Sequence, residues 1–163
     1  MKLLNPYLNF NGSTEEAFNF YKGVFGGEFA TFMRFKDIPK DVDMGGEGCV
    51  EGEPATDEGN LIMHVALPIG NNILMGSDVP SHMPQVVTGS NLSLSVSVES
   101  REEADRVFSG LSEGGTIGMP LTDMFWGDYW GMLHDKFGIQ WMISYNAESV
   151  SYTHLRAHET DSY

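Results

Sequence analysis

The sequence predicts an α+β fold made of two copies of a βαβββ unit. Two observations lead to this prediction. A motif of the form Ser-x-Glu-Glu-Ala begins at Ser13 and again at Ser100, and a Gly-Gly pair follows each copy about ten residues later. Short β-rich runs bounded by Gly, Asn, Asp and Pro surround each copy. We therefore expect a single domain over residues 1–147, with module 1 at about 1–80, module 2 at about 90–147 and a Pro-, Gly- and Ser-rich connector between them.

Both helices are predicted from their start signals. Ser13 with Glu16, and Ser100 with Glu103, have the spacing of a capping box, in which each side chain satisfies a free backbone N–H. Apolar residues then recur at helical spacing, so each helix should bury one face. These residues are Ala17, Phe20, Tyr21 and Val24 in the first helix and Ala104, Val107, Phe108 and Leu111 in the second. The Gly pairs should end the helices, since glycine takes the left-handed conformation at least cost.

The strands are predicted from β-rich composition, and residues 92–98 show the clearest alternation of apolar with polar side chains. Residues 68–71 should form a hairpin turn. The acidic segment 37–58 is predicted to be a surface loop, with a lid over a pocket as the alternative. The predicted strands are Tyr7–Phe10, Glu28–Phe35, Leu61–Leu67, Asn72–Met75, Leu92–Val98, Thr116–Met119, Tyr129–His134 and Ile139–Ser144.

Composition excludes several classes of function. The 163 residues carry a net charge of -14, from 23 acidic against 9 basic residues, which disfavours nucleic acid as a partner. The single cysteine, Cys49, cannot form an internal disulfide. The apolar run at the N-terminus is too short to be a signal peptide or a membrane span. We expect a soluble, cytoplasmic protein without membrane or nucleic-acid partners.

The segment 148–163 breaks the regular pattern and is predicted to be a disordered tail. It holds His154 and His158, whose spacing could suit a metal on a helix, but a third ligand and the Glu of metalloproteases are missing. The run also looks like translated vector sequence, so we assign it no function.

Several motifs in order resemble the PhnB-like branch of the glyoxalase/bleomycin resistance/dioxygenase (vicinal oxygen chelate, VOC) superfamily, over about residues 2–146. The resemblance implies a U-shaped, mainly antiparallel mixed sheet with a central cup, commonly in a homodimer. Metal-dependent relatives hold a divalent ion in the cup as a Lewis acid, and bleomycin-binding relatives use the cup without metal. The motifs are Asn5-Pro6-Tyr7-Leu8-Asn9-Phe10-Asn11-Gly12, Phe20-Tyr21-Lys22 to Phe25-Gly26-Gly27, Ile62-Met63-His64, Gly114-Gly115, Met119-Pro120-Leu121, Phe125-Trp126-Gly127-Asp128 and Asp135-Lys136-Phe137-Gly138-Ile139-Gln140-Trp141.

The metal positions implied by the resemblance fall on weak ligands. They correspond to Asn5 on the first strand, Gly76 or Ser77 after the fourth, Ser93 on the fifth and Met142 on the last. Amide, hydroxyl and thioether groups make a poor cage for a hard or borderline cation. We therefore expect no metal at these positions, and no cofactor is predicted.

Five other residues are the candidates for ligand binding: His64, Asp78, Trp126, Asp128 and Trp130. His64 should face away from Met63 and Val65 if the strand alternates, as a polar group in the cup or as a core or interface histidine. Asp78 is also interpreted as a turn residue, as is Asp135. The aromatic run 125–131 has the composition to grip an apolar or cationic ligand, although core packing is an equal alternative for Trp130.

The leading hypothesis is a PhnB-like protein that binds a small organic molecule in the cup, with its reaction unassigned. One alternative is a metal-dependent glyoxalase- or dioxygenase-type lyase with relocated ligands such as His64, Asp78 and His134. Another is methyl transfer, after the 3-demethylubiquinone methyltransferase label of some relatives. The sequence lacks the Gly-rich strand-to-helix loop that would hold an adenosyl cofactor.

Overall fold

Each half of the chain folds as strand, helix and three strands, which confirms the predicted α+β class. The computed structural model describes residues 2–39, 41 and 57–148. The first half contains β1 (Tyr7–Phe10), α1 (Thr14–Phe25), β2 (Thr31–Arg34), β3 (Ile62–Ile69) and β4 (Asn72–Asp78). The second half contains β5 (Leu94–Ser97), α2 (Arg101–Ser112), β6 (Thr116–Asp123), β7 (Tyr129–His134) and β8 (Gln140–Tyr145). Short 3-10 turns cover Phe35–Asp37 and Glu58–Asn60.

The contacts divide the chain between Val87 and Thr88, and each side holds one four-stranded mixed sheet. The strand orders are β1-β4-β3-β2 and β5-β8-β7-β6. In each sheet the first strand pairs in parallel with the last, and the remaining neighbours are antiparallel. Because β1 lies beside β4, residues nearly seventy positions apart in sequence become neighbours; Phe10, for example, is paired with Asp78.

Each helix buries its apolar face against its own sheet, and a glycine under an aromatic ring makes the approach possible. A Cβ on Gly76 would lie 2.6 Å from Cε2 of Phe18, and a Cβ on Gly131 would lie 2.8 Å from Cε2 of Phe108. Any side chain there would push the helix off the sheet. Phe18, fully buried, takes the place in the core that the sequence predicted for Phe20, which is only half-buried.

Several strand boundaries differ from the prediction. β2 and β5 are shorter than predicted, and β4 and β6 continue where a glycine or proline had suggested an end. β4 continues through Gly76 to Asp78, because Gly76 serves the contact with Phe18 rather than a turn. β6 runs on to Asp123 through two irregularities in its pairing with β7. The predicted hairpin narrows to a two-residue turn at Gly70-Asn71, where Gly70 has φ +57.

The two capping motifs, identical in pattern, form different caps. At α2, Ser100 Oγ accepts the Glu103 N–H at 3.0 Å, and a Glu103 carboxylate oxygen accepts the Glu99 N–H at 2.9 Å. At α1 the Ser13 side chain makes no capping bond. The capping box predicted at Ser13 is therefore wrong.

No helix in the described part of the chain has the length and hydropathy to cross a membrane. The predictions for the acidic segment lie largely outside the described residues, and those for the tail almost entirely so.

Candidate functional site

Each sheet has one face packed on its helix and a second face that the strand alternation turns away from it. In the first sheet, Leu8, Leu74 and Gly76 lie towards α1 and are buried. The residues that alternate with them form what we call the face opposite α1: Tyr7, Asn9, Thr31, Met33, His64, Ala66, Pro68, Ile73, Met75 and Ser77.

Tyr7 and His64 form a polar pair on the face opposite α1. A hydrogen bond of 3.3 Å joins Tyr7 Oη and His64 Nδ1, and the two rings stack with their centroids 5.8 Å apart at 23°. Tyr7 is 43% exposed and His64 is half-buried. A phenol can donate or accept a hydrogen bond, and so can a neutral imidazole. The pair can therefore position a polar group of a ligand by hydrogen bonds.

A second polar pair lies beside the first. Ser77 Oγ donates to Asn9 Oδ1 at 3.3 Å, and both residues are on the face opposite α1. The side chains of Met33 and Met75 belong to the same face. The surface thus combines apolar area with hydroxyl, amide and imidazole groups, the mixture usual in small-molecule sites.

Asp78 lies on the other side of this sheet, and its carboxylate is fully used. Oδ1 accepts the N–H groups of Gly12 (3.0 Å) and Thr14 (3.1 Å) and the Thr14 hydroxyl (2.7 Å). Oδ2 accepts the Ile62 N–H at 2.8 Å. Only 4% of Asp78 is exposed. It is the last residue of β4 and not the predicted turn residue, and it supplies the cap of α1 that Ser13 does not.

Asp135 occupies the turn predicted for it. Its carboxylate accepts the N–H groups of Phe137 (2.8 Å) and Ile139 (3.0 Å) and the indole N–H of Trp141 (2.8 Å). This buried carboxylate holds the β7–β8 turn and anchors Trp141 in the core of the second unit.

The aromatic run of the second unit is ordered by Asp128, between β6 and β7. Its oxygens accept the Trp126 indole N–H at 2.9 Å and the Asn146 amide at 2.6 Å. Trp126 is 53% exposed, and Phe125, which meets it edge-on at 4.9 Å, is 98% exposed. Asp128 is thus occupied in fixing the turn, while the two aromatic rings remain accessible.

Trp130 lies on β7, half-buried, in the row formed with Thr122 and Ser144. This row belongs to the face that alternates with the buried residues Leu133 and Ile143, which we call the face opposite α2. Of the five predicted site residues, the structure brings Trp126 and Asp128 into contact. It separates His64 from Asp78, which lie on opposite faces of one sheet.

Sequence reasoning missed Tyr7 as the partner of His64. Both residues lie in strands, and each points to the same face, but their contact depends on β1 adding to the far side of β4. The alternation of side chains within each strand could have shown which way Tyr7 and His64 point. Only the strand order shows that the two side chains are in contact.

A charged and aromatic cluster joins α2 to the β6–β7 hairpin. Arg101 pairs with Asp123 at 2.6 Å, and its guanidinium lies 3.9 Å from the centroid of the Tyr129 ring. The Tyr129 hydroxyl donates to Asp105 at 2.6 Å, and this bond raises the pKa of Tyr129. Tyr129 therefore stays protonated and structural in this cluster.

The residues at the implied metal positions do not fit a divalent ion. Asn5 precedes β1 and its Oδ1 accepts the Ile73 N–H at 3.1 Å, while Ser93 precedes β5. Ser77, on β4 rather than after it, donates to Asn9. Met142, on β8, offers a thioether. Among residues 2–39, 41 and 57–148, no three His, Cys, Asp or Glu side chains are grouped to hold a metal.

The comparisons with known proteins agree on one family. The model described as "Glyoxalase/Bleomycin resistance protein/Dioxygenase superfamily" matches residues 4–143. Protein YjdN of Escherichia coli is 32% identical over 142 residues, which are 86% of this chain and 93% of that protein.

Solved structures give the same result. Protein PA1353 from Pseudomonas aeruginosa is 36% identical with a TM-score of 0.75, covering 90% of this chain and 98% of that chain. A Bacillus cereus PhnB protein, named a putative 3-demethylubiquinone-9 3-methyltransferase, is 28% identical with a TM-score of 0.64, covering 89% and 99%. FosX from Listeria monocytogenes, complexed with Mn(II), has a TM-score of 0.55 at 8% identity, covering 92% and 96%, which shows the fold alone.

Proposed function

The chain belongs to the glyoxalase/bleomycin resistance protein/dioxygenase superfamily, and on this basis we propose that it binds a small organic molecule at the face opposite α1. The observation that carries the proposal is the Tyr7–His64 pair, a stacked phenol and imidazole on a strand face that also presents Met33 and Met75. No carboxylate belongs to the set of residues that defines this face.

The chemistry of this face favours a neutral molecule with an apolar body and at least one hydrogen-bonding oxygen. The two methionines adapt their shape to an apolar group. The Tyr7–His64 and Asn9–Ser77 pairs can each donate to an oxygen or accept from a hydroxyl. An anion would have to approach a chain of net charge -14.

Trp126 and Trp130 lie in the second unit, and we keep them as a separate candidate aromatic surface for ligand binding. We assign Asp78 and Asp128 a structural role rather than a contact with the ligand, because the carboxylate of each already accepts several hydrogen bonds. A ligand would have to break those bonds to reach them.

The test is a screen of neutral carbonyl and hydroxyl fragments by ligand-observed NMR, followed by imidazole ¹⁵N spectra. Binders should move the His64 ring resonances and leave those of the exposed His82 in place. Tyr7→Phe should weaken the binders, whereas Tyr129→Phe, which loses a hydroxyl bonded to Asp105 instead, should not. Fragments that bind Tyr7→Phe and the parent protein equally would refute the proposed site.

The metal-dependent alternative has less support, since His64 and Asp78 lie on opposite faces of the sheet. We expect protein purified without chelator to contain well under one equivalent of zinc, nickel or manganese. We also expect no glutathione-dependent turnover of methylglyoxal when metal is added. A stoichiometric divalent ion bound through His64 would favour the lyase instead.

Methyl transfer rests on the name of the Bacillus cereus neighbour alone. Calorimetry with S-adenosylmethionine tests it, and we expect no binding.

We further propose a cytoplasmic homodimer, because strand edges and apolar sheet faces are often covered by pairing. Light scattering that reports a monomer throughout the micromolar range would exclude the dimer.

A further inference from the structure

Three methionines form a row across the second sheet. Met119 on β6 is paired with Met132 on β7, and Met132 is paired with Met142 on β8. Residues paired directly across neighbouring strands point to the same face, with their Cβ atoms about 4.5–5.5 Å apart. Three methionine side chains are therefore directed to the face opposite α2, with Met119 placed between the two irregularities in the β6–β7 pairing.

The methionine row is not part of the sealed core of its unit. Met119 is 41% exposed, and Met132 and Met142 are half-buried. The residues that alternate with them along β7 and β8 and face α2 are sealed: Leu133 and Ile143 are 0% exposed. Core packing on the helix thus accounts for the alternate residues and leaves the methionines unexplained.

The sulfur of Met132, the central methionine, already accepts a hydrogen bond through one of its lone pairs. Gln140 Nε2 donates a hydrogen bond to Met132 Sδ at 3.2 Å, and Gln140 is the residue two before Met142 on the same strand face. On the other side, a Cβ on Gly118 would lie 3.1 Å from the Met132 methyl group, so the bare glycine gives that methyl room over β6. The side chain of Met132 thus reaches towards both neighbouring strands.

We propose that Met119, Met132 and Met142 together bind one soft monovalent cation of the Cu(I) class. Thioether sulfur is a soft ligand that selects Cu(I) over the hard cations that prefer oxygen. The same property makes Met142 unsuitable at a position where a divalent ion would want imidazole or carboxylate. Methionine has three rotatable side-chain bonds, so the two outer sulfurs can turn towards an ion above Met132.

The experiment uses the full chain with Cys49→Ser, because a thiolate would bind the same cations. The ten methionine methyl groups are labelled with ¹³C and assigned from single Met→Leu variants. Ag(I), a soft monovalent ion that does not change oxidation state in air, is then added stepwise, and Cu(I) affinity is measured by competition with bicinchoninate.

We expect the methyl resonances of Met119, Met132 and Met142 to move together and to saturate at one equivalent of Ag(I). Met33 and Met75, on the first sheet, should move less, and Zn(II) and Mn(II) should move none of them. Losing even a supporting partner of a metal ligand costs about 10- to 100-fold in affinity, so Met132→Leu should weaken Cu(I) binding at least tenfold. Met83→Leu, at an exposed methionine of the first unit that belongs to neither proposed site, is the matched control and should have no effect.

Leu replaces Met with little change of volume, so Met132→Leu should fold; if it does not, the more exposed Met119→Leu takes its place. The proposal would be overturned if the three methyl resonances moved independently of one another, or if they moved no more than that of Met75. An unchanged Cu(I) affinity in Met132→Leu would also overturn it. The row would then be apolar surface. The outcome is independent of fragment binding at Tyr7 and His64, which lie in the other unit.

Discussion

Replacing Asp78 tests whether α1 is capped from a distant strand rather than by its own serine. In Asp78→Asn the side chain keeps its shape, but one acceptor oxygen becomes a donor and the charge is lost. At least one of the buried N–H groups of Gly12, Thr14 and Ile62 then lacks an acceptor. Hydrogen bonds to a charged group contribute about 1.5–3 kcal/mol each, and a buried unsatisfied donor costs about 1–3 kcal/mol.

From these values we expect Asp78→Asn to lower the free energy of unfolding by about 2–4 kcal/mol, out of a total of about 5–15 kcal/mol. For a chain of this length that corresponds to a fall in Tm of roughly 5–15 °C. Two serine variants serve as matched controls. Ser100→Ala removes a formed cap and should cost about 1 kcal/mol. Ser13→Ala removes no capping bond and should cost less than about 0.5 kcal/mol.

The assay is urea unfolding followed by far-UV circular dichroism, since Trp126, Trp130 and Trp141 all lie in the second unit and their fluorescence would not report on α1. A shift of the midpoint without a change of slope is read as a change of stability. The reasoning is refuted if Ser13→Ala costs as much as Ser100→Ala, or if Asp78→Asn changes the free energy of unfolding by less than about 0.5 kcal/mol.

Three further outcomes are expected. Asp128→Ala should release the Trp126 indole and lower Tm by about 2–4 °C, roughly 1 kcal/mol, and an unchanged indole ¹H–¹⁵N resonance would contradict this. The hydrogen bond from Arg34 lowers the pKa of Glu15 below its usual value of 4.5, so its contribution to stability is present above that pH and is lost as the pH falls through the lowered value. Glu15→Gln should therefore flatten the fall of Tm in acid, and an identical acid profile would show that the pair does not contribute. Deleting everything after Asn146 should leave Tm in place; a fall of more than about 4 °C would mean that the segment makes stabilising contacts.

The fold was predictable because its signals are local and occur twice. A helix start at Ser13 and at Ser100 depends on residues three positions apart, and strands such as Tyr7–Phe10 and Tyr129–His134 depend on composition within one short run. Because the unit occurs twice, the elements predicted in one half can be compared with those predicted in the other. Strand ends were less predictable, because Gly76 reads as a break until Phe18 is seen to need the space.

The candidate site was predictable only in part. The prediction that His64 faces away from Met63 and Val65 is confirmed for Val65, because alternation within one strand requires it. Its contact with Tyr7 spans 57 residues and depends on the strand order β1-β4-β3. Asp78 was predicted to bind ligand, and local reasoning could not show that four donors from two other segments already occupy its carboxylate.

The sequence by itself determined the two βαβββ units, their helix positions and the chemistry of the side chains, because these follow from residue identity and from spacings of two to four positions. The tertiary structure alone decided what each polar group does. Ser13 and Ser100 occupy the same place in the same motif, yet only Ser100 caps its helix. Parallel pairing of β1 with β4 brings Asp78 to the start of α1, where a buried carboxylate accepts from the same end of the helix that Ser13 was predicted to cap.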